Sequence, residues 1–196
     1  MSLGKQAKTL TKPQIDAVLG YLAKTRYPVR DRVIFLLSVK AGLRAKEIAS
    51  LTWSMVTDAE GVLADIISLT DIASKGRGGR VIPINKDLRA AFVALKAEAK
   101  KASRQSPFVV TTERAGKTSS FAIVNKFAAW YRALGFSGAS SHSGRRTAIT
   151  NWARKISTVG GSLRDVQMLA GHSALSTTQR YIESDGLAQR RVVELV

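Results

Sequence analysis

Residues 140–182, SSHSGRRTAITNWARKISTVGGSLRDVQMLAGHSALSTTQRYI, hold the densest chemistry of the chain. Both histidines fall here, His142 and His172, with Arg145 three residues after the first and Tyr181 nine residues after the second. Imidazole moves protons near neutral pH, guanidinium grips phosphate through two N–H groups at once, and a phenolic oxygen becomes a nucleophile once its proton is managed. Together they suit phosphoryl transfer without a metal. Taken singly each is ordinary: a Tyr near a C-terminus commonly packs by its ring, and His-x-x-Arg is a weak pattern. Residues 142–156 read as one buried helix with Ala148, Ile149, Trp152 and Ala153 inward, which sets Arg145 one turn from His142 so that both can face one place. Residues 163–169 read as a short helix stopped by Gly171, so that His172 projects from a turn. Ser176, Thr177 and Thr178 read as the cap of the helix bearing Tyr181.

Charge says what such a site would act on. The 196 residues include 31 Lys and Arg against 14 Asp and Glu, a net charge of +17, far more than solubility asks for. A polyanion is the expected partner, nucleic acid first and an anionic membrane surface second. A hydrophobic content of 45% is enough for one buried core, which argues against a disordered tail. Cys is absent, which removes disulfides, thiolate metal sites and a Cys nucleophile and fits a reducing cytoplasm. No apolar run reaches membrane-spanning length, and the opening MSLGKQAKTL lacks the apolar core of a signal peptide.

Upstream, the periodicity is mostly helical. Thr11, Pro13 and Gln14 form a helix entry with a capping box, followed by a stripe of Ile15, Val18, Leu19 and Leu22 to about Lys24. Pro28 opens a second helix whose Val33, Ile34, Leu36, Leu37 and Val39 are too apolar for one face, the expected central helix of the core. It ends at Gly42, and residues 45–51 restart as a short helix, leaving Arg44 at the junction with Glu47 one turn on. That pair reads either as a held functional Arg or as a surface ion pair of little value.

Residues 64–69 and 80–84 read as two strands of a hairpin with a basic, Gly-rich tip at 74–79, and residues 53–56 as a third strand. Lys75 on that tip could reach a phosphodiester or simply keep an edge strand soluble. Residues 85–104 read as an amphipathic helix with Leu88, Ala91, Phe92 and Leu95 inward and a basic last stretch, and 121–134 as another with Val124, Phe127, Ala128 and Tyr131 on one side. The expected class is mainly α with a small antiparallel β-sheet, α+β.

Four stretches then align into a resemblance. AGLRAKEIASLTW at 41–53, SKGRGGRVIPI at 74–84, HSGRRT at 142–147 and LAGHSALSTTQRYI at 169–182 resemble the catalytic domain of the tyrosine recombinase, or phage integrase, family over nearly the whole chain. The resemblance implies that fold over residues 11–185, with 1–10 an extension, linker or cloning scar and 186–196 a C-terminal tail exchanged between subunits. The N-terminal core-binding clamp domain of many relatives is not expected here. Either the chain is a fragment of a longer integrase, or it is a catalytic-only enzyme like the fimbrial inversion recombinases.

The implied function is a site-specific recombinase that cleaves and rejoins DNA through a 3′-phosphotyrosine, independent of metal and ATP, with no cofactor. By that resemblance Tyr181 is the nucleophile, Arg44 and Arg145 clamp the non-bridging oxygens, and His142 assists proton transfer around the tyrosine. His172 donates to a phosphate oxygen, Lys75 protonates the leaving 5′ oxygen, and Glu47 buttresses the site. Lys46, Arg77, Arg80, Lys100, Lys101 and Arg146 are the cations expected on DNA. Partners are double-stranded DNA and three further copies in a synapsed tetramer, the free protein being a monomer, with no membrane and a cytoplasmic, DNA-associated location. Alternatives are a relaxing enzyme similar to type IB topoisomerases and an accessory DNA binder without useful catalysis. A metal-dependent nuclease is disfavoured because the acids are scattered. The family pattern usually has Leu where Gly144 stands and Leu where Ala170 stands, which places packing around the site in question rather than its chemistry.

Overall fold

The computed structural model describes residues 7–70, 79–102, 106–113, 116–181 and 193–194. Among these are eight α-helices and one short hairpin: α1 (Lys12–Leu22), α2 (Pro28–Val39), α3 (Ala45–Ser50), β1 (Ile66–Leu69), β2 (Arg80–Pro83), α4 (Lys86–Lys101), α5 (Ser120–Ala133), α6 (Ser143–Lys155), α7 (Leu163–Ala170) and α8 (Leu175–Gln179).

The sequence explains why α2 is central. Every residue from Val33 to Val39 is buried, so the helix needs neighbours all round, and α1, α3, α4 and α6 pack against it. Its neighbours show the one-sided pattern instead. On α4, Leu88, Ala91, Phe92 and Leu95 are buried at a spacing of three and four residues. Thr11 and Gln14 close the capping box at the head of α1, the Thr11 N–H donating to Gln14 Oε1 at 2.9 Å.

Gly144 sets how closely α6 approaches α2. A Cβ there would lie 2.4 Å from Ser38 Oγ and 3.0 Å from Ser38 Cβ. A Leu, which the family pattern leads one to expect at this position, would not fit at that spacing.

A second, smaller cluster holds the functional end. Ile149 of α6 and Val166 and Ala170 of α7 are buried together, with Trp152, Ala153, Ile156, Leu163 and Tyr181 packed around them. At about 1.5–3 kcal/mol per fully buried large aliphatic side chain, Ile149 and Val166 supply only a few kcal/mol. Polar contacts therefore matter more for holding α7 and α8 than for the main core. Gln167, itself buried, donates from Nε2 to the His172 carbonyl at 2.9 Å.

Three local expectations need correction. Residues 53–55 form a 3-10 turn rather than a third strand, and the sheet has two strands, in register from Ile66 opposite Pro83 to Leu69 opposite Arg80. Isolated bridges from Thr52 to Phe108 and from Thr57 to Leu63 flank that turn. Four residues are too few for periodicity to separate a strand from a turn. On α5, Ile123, Phe127, Trp130 and Tyr131 are buried while Val124 and Ala128 face out. Two apolar stripes compete on that helix, and the one carrying Trp130 removes more area from water. The Ser176-Thr177-Thr178 triplet lies within α8, whose N-cap is Ala174, and Tyr181 follows the helix in a turn closed by its N–H on the Thr178 carbonyl at 3.0 Å. The hairpin tip with Lys75 and Arg77 lies outside the described residues, as does the tail apart from 193–194.

Candidate active site

The site gathers where α3, β2, α6 and the α7–α8 turn meet. Arg44 is the N-cap of α3, and Glu47 reaches back from the third position of that helix. The Arg44 N–H donates to Glu47 Oε2 at 2.7 Å, and Arg44 Nη1 donates to Oε1 at 2.9 Å. Only 1% of the Glu47 side chain is exposed against 31% for Arg44, so the inner edge of the guanidinium is tethered while the side chain still reaches solvent. Pairing at the helix head therefore does more than decorate a surface.

Arg80 was expected on DNA, and the structure corrects this. It is 7% exposed, its Nη1 and Nη2 donating to Glu47 Oε1 and Oε2 at 2.8 and 2.9 Å. Burial alone would push the Glu47 carboxyl up, but hydrogen bonds and charge from Arg80, then from Arg44, outweigh it and hold the group at about 2.

Arg145 projects from the first turn of α6 into the interior. Its Nη1 donates to the Gly42 carbonyl at 2.5 Å, and Nη2 to the Ala170 carbonyl at 2.8 Å and to His172 Nε2 at 3.1 Å. Gly42, with φ of 64°, and Gly171, with φ of 62°, turn the chain so that these acceptors converge. Burial and the charges of Arg44 and Arg80 bring Arg145 down to about 10. It remains cationic at neutral pH.

The bonding also fixes the His172 tautomer. Guanidinium only donates, so Nε2 accepts, and the ring proton sits on Nδ1, which donates to Thr178 Oγ1 at 2.9 Å. Burial, then the charges of Arg145, Arg44 and Arg80, lower His172 to about 4, so the imidazole is neutral near pH 7. Its ring stacks on Tyr181 with centroids 5.5 Å apart and planes 23° apart, while the Arg146 guanidinium lies over the Tyr181 ring, 5.8 Å from its centroid.

Arg44, Glu47, Arg145, His172 and Tyr181 are thus brought together. His142 is not. It is exposed at the head of α6, its backbone N–H on Ser140 Oγ at 3.3 Å, whereas Arg145 points inward. One helical turn of separation permits convergence but does not impose it. Lys46 is exposed on α3, and Lys100 and Lys101 at the end of α4. Sequence reading missed Thr178, Gln167 and the two carbonyl acceptors. Thr178 was in view as a helix cap, and its buried hydroxyl serves His172 instead.

A family model described as the phage integrase family matches residues 8–186. The chain belongs to the phage integrase family. Among curated relatives, tyrosine recombinase XerD of Xanthomonas axonopodis pv. citri (strain 306) is 31% identical over 187 residues, covering 89% of this chain and 57% of its own. Tyrosine recombinase XerC of Chlamydia muridarum (strain MoPn / Nigg) is 29% identical over 178 residues, covering 88% and 50%. The integrase-family chain therefore spans about half the length of these relatives.

Solved structures agree on the fold. The XerA recombinase superimposes with a TM-score of 0.71 at 18% identity, over 96% of this chain and 65% of that one. XerH bound to its difH substrate in a pre-cleavage complex gives 0.74 at 16% identity, over 98% and 55%. The fold is that of tyrosine recombinase catalytic domains, mostly helical with one small antiparallel sheet. Among the described residues no helix is long and apolar enough to cross a membrane.

Proposed function

We propose that this chain is the catalytic part of a site-specific DNA recombinase that breaks and rejoins strands through Tyr181. The observation that carries the reading is the junction of Arg145, His172 and Tyr181: a buried guanidinium anchored on two carbonyls, touching an imidazole that stacks on the phenol.

The chemistry follows from that arrangement. Tyr181 Oη attacks the phosphorus of a DNA phosphodiester, forming a Tyr–O–P bond as the bond to the 5′ oxygen breaks. The phenol proton leaves, and a proton arrives on the 5′ oxygen. Charge builds on the non-bridging oxygens of the pentavalent state, where Arg145 and the tethered Arg44 donate into it. Guanidiniums fixed beforehand bind that state more tightly than the substrate, and this difference lowers the barrier.

In the DNA-free chain His172 Nε2 accepts from Arg145 and so cannot donate. A phosphate entering between them adds an anion that raises the imidazole from about 4, letting the ring take up a proton and donate to an oxygen. Lys75, outside the described residues, is assigned protonation of the 5′ oxygen. His142 assists proton transfer once DNA covers the head of α6. The phosphotyrosine conserves bond energy, so religation by the 5′ hydroxyl requires neither ATP nor metal. Double-stranded DNA is the substrate, in keeping with the net charge of +17, and four copies act on two synapsed sites.

The test uses a pool of nicked duplexes of randomised sequence, incubated with the protein in EDTA and resolved on a denaturing gel. A covalent adduct formed by the wild type and absent from Tyr181→Phe is expected. An adduct in both, or strand cleavage only when a divalent cation is supplied, refutes the reading.

A further inference from the structure

The contact beneath Arg44 joins more of the site than the tether itself. Arg80 comes from β2 and Glu47 from α3, yet their side chains meet as a bidentate pair with almost no exposure, at 2.8 and 2.9 Å. One carboxylate thereby receives both nitrogens of Arg80 as well as the N–H and Nη1 of Arg44. A carboxylate held by a single partner can swing about its own axis. The fork of a guanidinium fixes its plane, and with it the direction in which Glu47 presents Oε1 to Arg44.

The same Arg80 side chain also packs under the turn that launches His172. A Cβ on Gly171 would lie 2.8 Å from Arg80 Cδ and 2.9 Å from its Nη1. Only glycine, already required by the left-handed backbone, allows so close an approach. Arg80 thus touches two arms of the site at once, the Glu47–Arg44 arm and the Gly171–His172 arm, from the first residue of β2.

We infer that Arg80 is a positioning residue for DNA cleavage, fixing Arg44 through Glu47 and the His172 turn through Gly171, and does not contact DNA. The inference rests on the recombinase reading above. A buried ion pair with a purely structural role would look similar, and pH dependence separates the two. The charged groups facing Glu47 are Arg44 at the head of α3, Arg80 from β2 and Arg145 from α6. Without Arg80 the raising effect of burial loses its main opponent, so Glu47 takes up a proton at a higher pH and releases Arg44.

The experiment measures single-turnover adduct formation on the nicked pool, with DNA binding measured in parallel, for Arg80→Met, Arg80→Lys and the double variant Glu47→Gln/Arg80→Met. Arg80→Met is expected to slow the adduct by about 100-fold, the scale of a small misplacement of a catalytic group. It should leave binding intact and acquire an additional fall in rate toward acid, beyond the pH dependence that the tyrosine and histidine proton transfers give the wild type. Arg80→Lys should recover part of the rate, since one ammonium can hold one oxygen but not the plane. The double variant should remain slow and lose that additional fall, and as a neutral pair it carries the test where the single variant does not fold.

A rate close to wild type in Arg80→Met or the double variant, or a loss of rate that only tracks a loss of DNA binding, overturns the inference. A wild type that forms no adduct overturns the recombinase reading instead. In that event 13C titration of the Glu47 carboxyl decides the positioning link: it should rise from about 2 in the wild type when Arg80 is replaced, and an unchanged titration overturns it.

Discussion

Replacing Glu47 with Gln should remove a defined part of the chain's acid sensitivity. Glu47 is 1% exposed and held at about 2 instead of its ordinary 4.5, the bonds and charges of Arg80 and Arg44 overcoming burial. That difference corresponds to about 3 kcal/mol in favour of the ionised group in the folded state. The folded value is the depressed one. The stabilisation is therefore complete above about 4.5 and is lost as pH falls through about 2. Gln cannot titrate, and it leaves Arg80 buried without a counter-charge, so the variant should be about 3–5 kcal/mol less stable near neutrality. Urea unfolding of both proteins at a series of pH values from about 7 to about 3 reads the two effects together. The wild-type curve should fall more steeply below about 4.5 and converge on that of the variant. Two parallel curves with a constant offset would show that Glu47 does not carry the linkage, and the account of the Arg44–Glu47–Arg80 cluster would fail with it.

Arg145→Lys should lower adduct formation by at least about 100-fold, because one ammonium cannot serve the Gly42 and Ala170 carbonyls and a phosphate together; a rate within a few-fold of wild type would refute the clamp. In the free protein the His172 ring should titrate near 4 and show the Nδ1–H tautomer by 15N NMR, and Thr178→Val should retain that tautomer because Arg145 still donates to Nε2. A ring titrating near its ordinary value of 6.5 would contradict the buried, Arg145-paired geometry. Gly144→Ala should destabilise the chain by about 1–3 kcal/mol through contact with Ser38. Ser38→Ala, which removes a buried hydroxyl with no hydrogen-bond partner, should be close to neutral alone and should restore part of that loss in denaturant unfolding.

Much of the fold could be read from spacing because the elements concerned face one environment each. The continuous burial of α2 and the single stripe of α4 leave no choice of face, and the capping box of α1 marks its start chemically. Where two answers were nearly equal in energy, local pattern did not decide. The two apolar stripes of α5 differ mainly in which aromatic they bury, and that depends on α3, which packs against the helix from about seventy residues away. The stretch at 53–55 turns because its neighbours bond to 107–109, with Trp53 N–H on the Pro107 carbonyl at 2.8 Å and Val109 N–H on the Leu51 carbonyl at 2.9 Å. Such distant partners leave no trace in a window of four residues.

The site divides along the same line. Arg44, Glu47, Arg145, His172 and Tyr181 lie in short motifs and converge as those motifs suggest, but the role of Arg80 was misread although the means to read it were present. Side chains alternate along a strand, so Arg80 shares the face of Ile82 while Val81 points the other way, 54% exposed. A charged residue on the buried face of a hairpin requires a buried counter-charge, since an isolated one costs several kcal/mol. Parity alone therefore calls for a carboxylate opposite Arg80. Glu47 shares the inner face of α3 with the buried Ile48 beside it, while Lys46 on the same short helix stays exposed. A buried cation and a buried anion, each too costly alone, identify one another as partners before any coordinates are known. His142 had no such constraint. An exposed residue at a helix head can face several ways at equal cost, and burial selects none of them.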